Sequence, residues 1–222
     1  ITGLLNTKGK INELLSGILT MTALYSINLR IMGKSNIPLL DEVTVFTTFE
    51  SLGIPAKYVY VILFAILVIT IKLIMDRFLS TKLGFALRAT GNNDQMVRSI
   101  GIDTDFMKVF GLSLSNALIA LCGALVAQYQ GFADISMGVG TIVAGLASII
   151  IGEMVIGGSS IRRITWTVIL GSFIYRLSIT IALRLGFAPT DLKLLTTILV
   201  IIALISPQLK RVFKFQSLKK QI

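Results

Sequence analysis

The apolar run from Tyr58 to Met75 (YVYVILFAILVITIKLIM) constrains the fold more than any other part of this chain. Its only charged residue is Lys72, near one end, where a long side chain can carry its ammonium group to the membrane surface. Wound as an α-helix, such a run crosses the roughly 30 Å hydrocarbon core of a bilayer. Of the 222 residues, 54% are hydrophobic and 14% charged, whereas a soluble domain carries about 25% charged residues. We therefore predict an all-α, polytopic integral membrane helix bundle.

Further apolar runs predict about six transmembrane segments in a single transmembrane domain, residues 1–222. Pro207 ends the short last run, because a proline inside a helix would break it. The chain opens at Ile1 without a basic-then-apolar signal sequence, so we expect an N-terminal truncation with further spans absent. The predicted segments are residues 11–30, 58–75, 108–129, 139–157, 164–184 and 192–206.

Basic residues predict the orientation, because cytoplasmic loops carry an excess of Lys and Arg. The polar loop at residues 76–107 and the C-terminal tail are both rich in them, so both are predicted to be cytoplasmic. Arg30 and Lys34 fall on the outer side as exceptions. The net charge of +10 is thereby explained by topology, and we expect no nucleic-acid partner. The basic residues of the loop are Arg77, Lys82, Arg88 and Arg98.

The composition excludes several kinds of chemistry. The chain has no histidine, and its single cysteine, Cys122, lies in an apolar run, so we predict no metal site, cofactor or catalytic residue. Gly33-Lys34-Ser35 resembles the end of a nucleotide-binding loop, but Asn28 stands where that motif requires a glycine. The chain is therefore predicted not to bind ATP through this motif.

Two charged residues, Glu153 and Arg176, lie within predicted spans, where a charge is costly and marks a functional or paired site. Glu153 has two interpretations, an ion pair with Arg162 or Arg163 and a role in coupling or substrate transport. Arg176 either pairs with Glu153 or faces an aqueous pathway. The outer segment GFADISMGVG, with Gly131, Asp134 and Gly138, is either an external gate or an ordinary turn.

The polar loop TKLGFALRATGNNDQMVRSIGIDTDFMK, residues 81–108, alternates apolar and charged residues, as do amphipathic helices at a membrane surface. It resembles the cytoplasmic loop of permease subunits of bacterial ABC importers, in the branch that includes branched-chain amino acid and ribose-type permeases. The flanking spans are similar to a subgroup linked in some cases to aromatic amino acids. One departure is Gly152-Glu153, where ribose-type relatives carry a Gly-Gly pair.

The resemblance implies an importer of a small polar solute, such as an amino acid, in a bacterial cell membrane. Two permease copies, two cytoplasmic ATPase subunits and an extracellular substrate-binding protein would assemble, with ATP hydrolysis confined to the ATPase. A turn at Thr90–Asn93 followed by a short helix would dock on that ATPase. The docking residues implied are Gly84, Arg88, Gly91, Asn92, Asn93, Gln95, Arg98, Gly101 and Asp103.

Two other functions stay open at this point. An ion-coupled secondary transporter or channel acting without an ATPase would need an acidic coupling residue, and Glu153 is the candidate. A purely structural subunit of a membrane assembly would show no substrate-dependent activity.

Overall fold

The computed structural model describes residues 1–39, 42–50, 56–157 and 160–186, together with residues 191, 194, 197, 198 and 201. The chain divides into two compact units, residues 1–138 and 139–222. Among its described residues the first unit has seven helices and two short strands: α1 (Thr2–Thr7), α2 (Glu13–Met32), β1 (Asn36–Pro38), α3 (Val45–Glu50), α4 (Ala56–Leu79), α5 (Lys82–Asn92), α6 (Asp94–Ser99), α7 (Thr104–Gln130) and β2 (Phe132–Asp134). In the second unit the described elements are α8 (Thr141–Val155) and α9 (Ile161–Arg184).

The long helices α2 and α7 end in the same way and on the same side of the first unit. Each closes on a glycine with a left-handed backbone, Gly33 (φ 68°) after α2 and Gly131 (φ 77°) after α7. The strands that follow, β1 and β2, pair antiparallel with Ile37 opposite Ala133. The segments after α2 and α7 therefore lie together, and α5 and α6 lie at the opposite ends of these helices.

Four helices within the described residues are long and apolar enough to cross a membrane: Glu13–Met32, Tyr58–Leu79, Thr104–Gln130 and Ile161–Arg184. They confirm the helical membrane fold, and their positions coincide with four of the predicted segments. Helix α8 corresponds to the predicted segment 139–157 but has only 15 residues, about 22 Å at 1.5 Å per residue. The predicted segment 192–206 falls almost entirely outside the described residues. The predicted count of about six is thus matched only roughly.

Lys72 differs from its prediction. The residue is 9% exposed, and its ammonium group pairs with the carboxylate of Asp76, one helical turn further along α4. A lysine buried in an apolar span needs a neutralising partner, and the i, i+4 spacing supplies one. The expectation that Lys72 carries its charge to the membrane surface is therefore wrong.

Aromatic rings join α3 to the ends of α4 and α7 that lie beside the β1–β2 pair. Phe46 of α3 is 1% exposed, and its ring centroid lies 4.9 Å from that of Tyr60 and 5.5 Å from that of Phe64, both on α4. Tyr129 of α7 closes the cluster, 5.4 Å from the Tyr60 ring. Such tilted and edge-to-face pairs add to the burial energy of the rings, so α3 is held firmly although it has only six residues.

Candidate functional site

The polar loop between the second and third of the predicted spans folds into two helices, α5 and α6, which confirms the short amphipathic helices predicted there. Thr81 begins α5, since its hydroxyl oxygen accepts a hydrogen bond from Gly84 N at 3.2 Å. Gly84 is buried, and a Cβ atom there would lie 2.4 Å from the Phe78 carbonyl oxygen. Gly84 therefore lets α5 fold back closely against the end of α4, which is a structural role.

The break between α5 and α6 is narrower than the predicted turn at Thr90–Asn93. Thr90, Gly91 and Asn92 are helical, so that prediction is wrong. Only Asn93 leaves the helix, with an extended backbone (φ −154°, ψ 95°), and its side-chain oxygen accepts a hydrogen bond from Met96 N at 3.0 Å. A single capping asparagine is sufficient here because it ends α5 and begins α6 at the same residue.

Helix α6 is braced against the start of α7 by Arg98. Its Nε and Nη2 donate to the hydroxyl oxygen of Thr104 at 3.2 and 2.8 Å, and Nη2 lies 3.0 Å from Asp105 Oδ1. Gly101 turns the chain with a positive φ of 86°, and Asp103 accepts hydrogen bonds from Asp105 N and Phe106 N at 3.0 and 3.1 Å. Arg98, Gly101 and Asp103, predicted to dock a partner, thus hold the corner together.

Other residues of this corner are exposed as well and form no brace to α7. Arg88, Asn92 and Gln95 are exposed, as predicted for docking residues. The Arg88 guanidinium carbon lies 6.0 Å from the centroid of the Phe85 ring, within the range of a cation–π contact. Large apolar side chains are exposed beside them although the segment is polar overall: Leu83, Phe85, Met96 and Ile100. We call Leu83, Phe85, Arg88, Met96 and Ile100 the α5–α6 surface.

A charged cavity of about 450 Å³ lies between the first two helices and the α5–α7 corner. Lys108 Nζ lies 2.8 Å from Asp94 Oδ2 and 4.0 Å from Glu13 Oε1. The Lys108 ammonium group, followed by the Thr104 hydroxyl, holds the pKa of Asp94 below its ordinary value. Sequence reasoning missed this cluster, because Glu13 and Lys108 are far apart along the chain and no periodicity connects them.

The segment with Gly131, Asp134 and Gly138, predicted as an external gate or a turn, forms a strand and a hydrogen-bonded loop. Gly131 ends α7, and Asp134 in β2 accepts a hydrogen bond from Ser136 N at 2.7 Å and a further one from the Ser136 hydroxyl. These hydrogen bonds hold the pKa of Asp134 below its ordinary value. Gly138 lies beyond, with space around its Cα for a side chain. The segment is thus tied to β1 and is not an isolated turn.

Glu153 on α8 and Arg176 on α9 are both exposed. Within the described residues neither forms a salt bridge shorter than 4.0 Å; the four that are present there involve other side chains. The predicted pairs of Glu153 with Arg162, Arg163 or Arg176 are therefore not formed in that part of the chain. Nor does that part bring together three side chains able to hold a metal ion.

The apolar helices and the folded polar corner define a polytopic membrane protein. Comparison with known families gives the finer assignment: the chain belongs to the family of branched-chain amino acid transport system permease components, which matches residues 1–205. This confirms the resemblance on which the predicted docking loop depends.

Curated relatives agree with this family. The chain is 47% identical to a tyrosine transport system permease protein of Clostridioides difficile, over 90% of this chain and 65% of that protein. It is 36% identical to an uncharacterised protein of Rickettsia prowazekii, over 93% and 73% of the two chains. An autoinducer 2 import system permease protein of Yersinia enterocolitica is 31% identical over 44% of this chain and 26% of its own. The chain thus spans about two thirds of the length of the first two, and no solved structure matches it significantly.

Proposed function

We propose that this chain is the transmembrane permease subunit of an ATP-driven importer that moves an amino acid across a bacterial cell membrane by alternating access. Membership of the permease family supports the class. The tyrosine transport permease, 47% identical, supports an amino acid as the substrate. The observation that carries the proposal is the α5–α6 surface, which exposes large apolar side chains on a polar segment. Such a surface needs a partner.

The partner of the α5–α6 surface is a cytoplasmic ATPase subunit. Phe85 is 66% exposed and Ile100 is 62% exposed, although both could be buried at low cost by a hydrophobic groove. Arg88 adds a positive charge that forms no salt bridge among the described residues. Because the corner is braced internally by Arg98 and Thr104, a force applied at this surface reaches α7 directly.

The other subunits of the importer supply the remaining functions. A second permease copy completes the pathway, two ATPase subunits bind on the cytoplasmic side, and an extracellular binding protein delivers the substrate. Residues 76–107 and the C-terminal tail are cytoplasmic, because the basic residues concentrate there.

Glu153 and Arg176 line the aqueous pathway in this proposal. A charged side chain within a span costs several kcal/mol if it faces lipid, and neither residue is neutralised by a partner in the described part of the chain. Water or a polar substrate would satisfy both. The β1–β2 pair at the outer end of α7, with Asp134, would then form the external gate.

The test is reconstitution of the complete permease with its ATPase and binding protein in proteoliposomes. The variants Phe85→Ser and Arg88→Glu should reduce co-purification of the ATPase and substrate-stimulated ATP hydrolysis at least about tenfold, as expected for contacts at the centre of an interface. Lys82→Glu is the matched control, a charge reversal on α5 outside this surface.

Gly91→Leu should also uncouple the ATPase, and the space around Gly91 means that the variant folds. Arg98→Glu should do the same, but it also breaks the brace to Thr104 and is therefore the less specific probe. Uptake that follows a proton gradient without ATP, or unchanged ATPase binding in Phe85→Ser and Arg88→Glu, would overturn the proposal in favour of a secondary transporter.

A further inference from the structure

The turn between α4 and α5 exposes two basic side chains. Arg77 lies in the last turn of α4 and Lys82 is the first residue of α5, and both are exposed. Neither forms a salt bridge among the described residues. The carboxylate that is nearest along the chain, that of Asp76, is buried and pairs with Lys72. The turn therefore presents two positive charges that the described part of the chain does not neutralise.

Both charges lie where α4 leaves the membrane. The apolar part of this helix, Tyr58–Leu79, has 22 residues, which is about 33 Å at 1.5 Å per residue and slightly exceeds the roughly 30 Å hydrocarbon core. Arg77, two residues from the end of that span, therefore reaches the level of the lipid headgroups. Lys82 stays at this level, because α5 is pressed against the end of α4. A Cβ atom at Gly84 would lie only 2.5 Å from the Leu79 Cα.

The surface of α4 below Arg77 is apolar and open. Leu73 lies one helical turn earlier on the same face and is 60% exposed, and its neighbour Ile74 is 61% exposed. A positive charge above an exposed apolar surface matches an amphiphile, which has an acidic headgroup and acyl chains. A water-soluble phosphate compound would use the charges and leave the apolar surface uncovered.

The sign of the charge selects the class of lipid. Each basic residue at a membrane surface enriches anionic lipids by about fivefold. A guanidinium group can donate two parallel hydrogen bonds to one phosphate, and a lysine ammonium group adds a point charge. A lipid headgroup without net charge gains less, because its own cationic group is repelled by Arg77 and Lys82.

We propose that Arg77 and Lys82 bind the phosphate group of an acidic phospholipid, whose acyl chains lie along α4 at Leu73 and Ile74. The bound lipid holds the α4–α5 turn at the membrane surface. The site lies outside the α5–α6 surface, so loss of the lipid leaves the contact with the ATPase in place. Binding requires neither ATP nor a transported substrate, and the proposal does not depend on the importer function.

The experiment places a fluorescent reporter directly below the turn. The sequence contains one tryptophan, Trp166, so Leu73→Trp in a Trp166→Phe background reports on the lipid beside Arg77. This protein is reconstituted in phosphatidylcholine vesicles that contain an equal fraction of brominated phosphatidylglycerol or of brominated phosphatidylcholine, since bromine quenches tryptophan on contact. The relative binding constant from quenching should favour phosphatidylglycerol at least about fivefold. Val61→Trp, 68% exposed nearer the other end of α4, is the control reporter and should show no preference.

Variants assign the preference to the two basic residues. Arg77→Gln with Lys82→Gln should abolish it at the Leu73→Trp reporter. Arg77→Lys with Lys82→Arg keeps both charges and should retain most of it. Arg30→Gln with Lys34→Gln is the matched control, since it removes two exposed charges at the end of α2, and should retain the full preference. If the first double variant does not reconstitute, Arg77→Gln alone decides.

Three results would overturn the proposal. The first is equal quenching by the two lipids in the natural turn, including little quenching by either, which would mean that another protein surface covers Leu73. The second is a preference that persists without Arg77 and Lys82. The third is loss of the preference on addition of soluble glycerol 3-phosphate, because the ligand would then be a water-soluble phosphate ester.

Discussion

Gly171 of α9 packs directly against the backbone of Gly152 of α8. A Cβ atom at Gly171 would lie 2.9 Å from the Gly152 Cα and 2.0 Å from the Ser148 carbonyl oxygen. A Cβ atom at Gly152 would lie 2.1 Å from the Thr167 carbonyl oxygen. The two helices therefore meet backbone to backbone. In lipid, where hydrophobic burial does not drive helices together, this close contact is a principal source of their association.

Gly171→Ala should separate α8 from α9 and destabilise the protein. Overfilling a close-packed contact costs about 1–3 kcal/mol, and the obstacle here is backbone, which cannot rotate away. The measurement is the thermal unfolding midpoint of the purified protein in detergent, followed by circular dichroism. Gly145→Ala is the control on α8, where no atom lies within 4 Å of the added Cβ. Equal midpoints for the two variants would show that the helices do not cross here.

The apolar helices were predictable from the sequence, but the close contact between α8 and α9 was not. The run Tyr58–Met75 is recognisable as a membrane span because helix length and hydropathy are properties of the local sequence. The crossing of α8 and α9 depends on how the chain turns between them, which periodicity does not encode. On α8 the contact is formed by Ser148 and Gly152.

The helices of the corner were predictable from the sequence, and so were some but not all of the roles of its residues. Asn93 and Asp103, predicted as docking residues, also cap helices. A polar residue just before a helical run is itself a capping signal, so this role was readable and was missed. The pairing of Lys108 with Glu13 was not readable, since only the folded chain brings α2 beside α7.

Acid should loosen the contact between α6 and α7. The pKa of Asp94 is lowered mainly by Lys108. The stabilisation is therefore present above the unfolded value of about 3.9 and is lost as the pH falls through the lower folded value. We expect the thermal midpoint of the natural protein to begin to fall below about pH 5 and to go on falling below the unfolded value, because the folded pKa is the lower of the two.

Asp94→Asn isolates this effect, because it cannot titrate. The variant should have a lower midpoint at pH 7 and a smaller decrease on acidification. Asp105→Asn, which leaves the Asp94 contact in place, should keep the full decrease. An Asp94→Asn profile parallel to that of the natural protein would mean that another group is responsible.

The β1–β2 pair can be tested by a disulfide. Ile37 and Ala133 are directly opposite each other, and opposite residues of an antiparallel pair have Cβ atoms about 5 Å apart. In a Cys122→Ser background, Ile37→Cys with Ala133→Cys should cross-link under mild oxidation. Ile37→Cys with Phe132→Cys, one residue out of register, should cross-link much less because that side chain points to the other face.

The same cross-link tests the external gate. If the pair opens during transport, oxidation should stop uptake in proteoliposomes, and a reductant should restore it. Efficient cross-linking with unchanged uptake would leave the strand pairing correct and the gate proposal wrong.

The side of the membrane on which the α5–α6 corner lies can be measured directly. The segments after α2 and α7 lie together, and the α5–α6 corner lies at the other ends of these helices. Val43 is 86% exposed on the first side, and Gln95 is exposed on the second.

In a Cys122→Ser background, a membrane-impermeant maleimide should label Val43→Cys in intact cells, but Gln95→Cys only after permeabilisation. The physical reason is the concentration of Lys and Arg around α5 and α6, which outweighs Arg30 and Lys34 on the other side. The reverse labelling pattern would place the corner outside the cell, where no ATPase could reach it, and would exclude the importer mechanism.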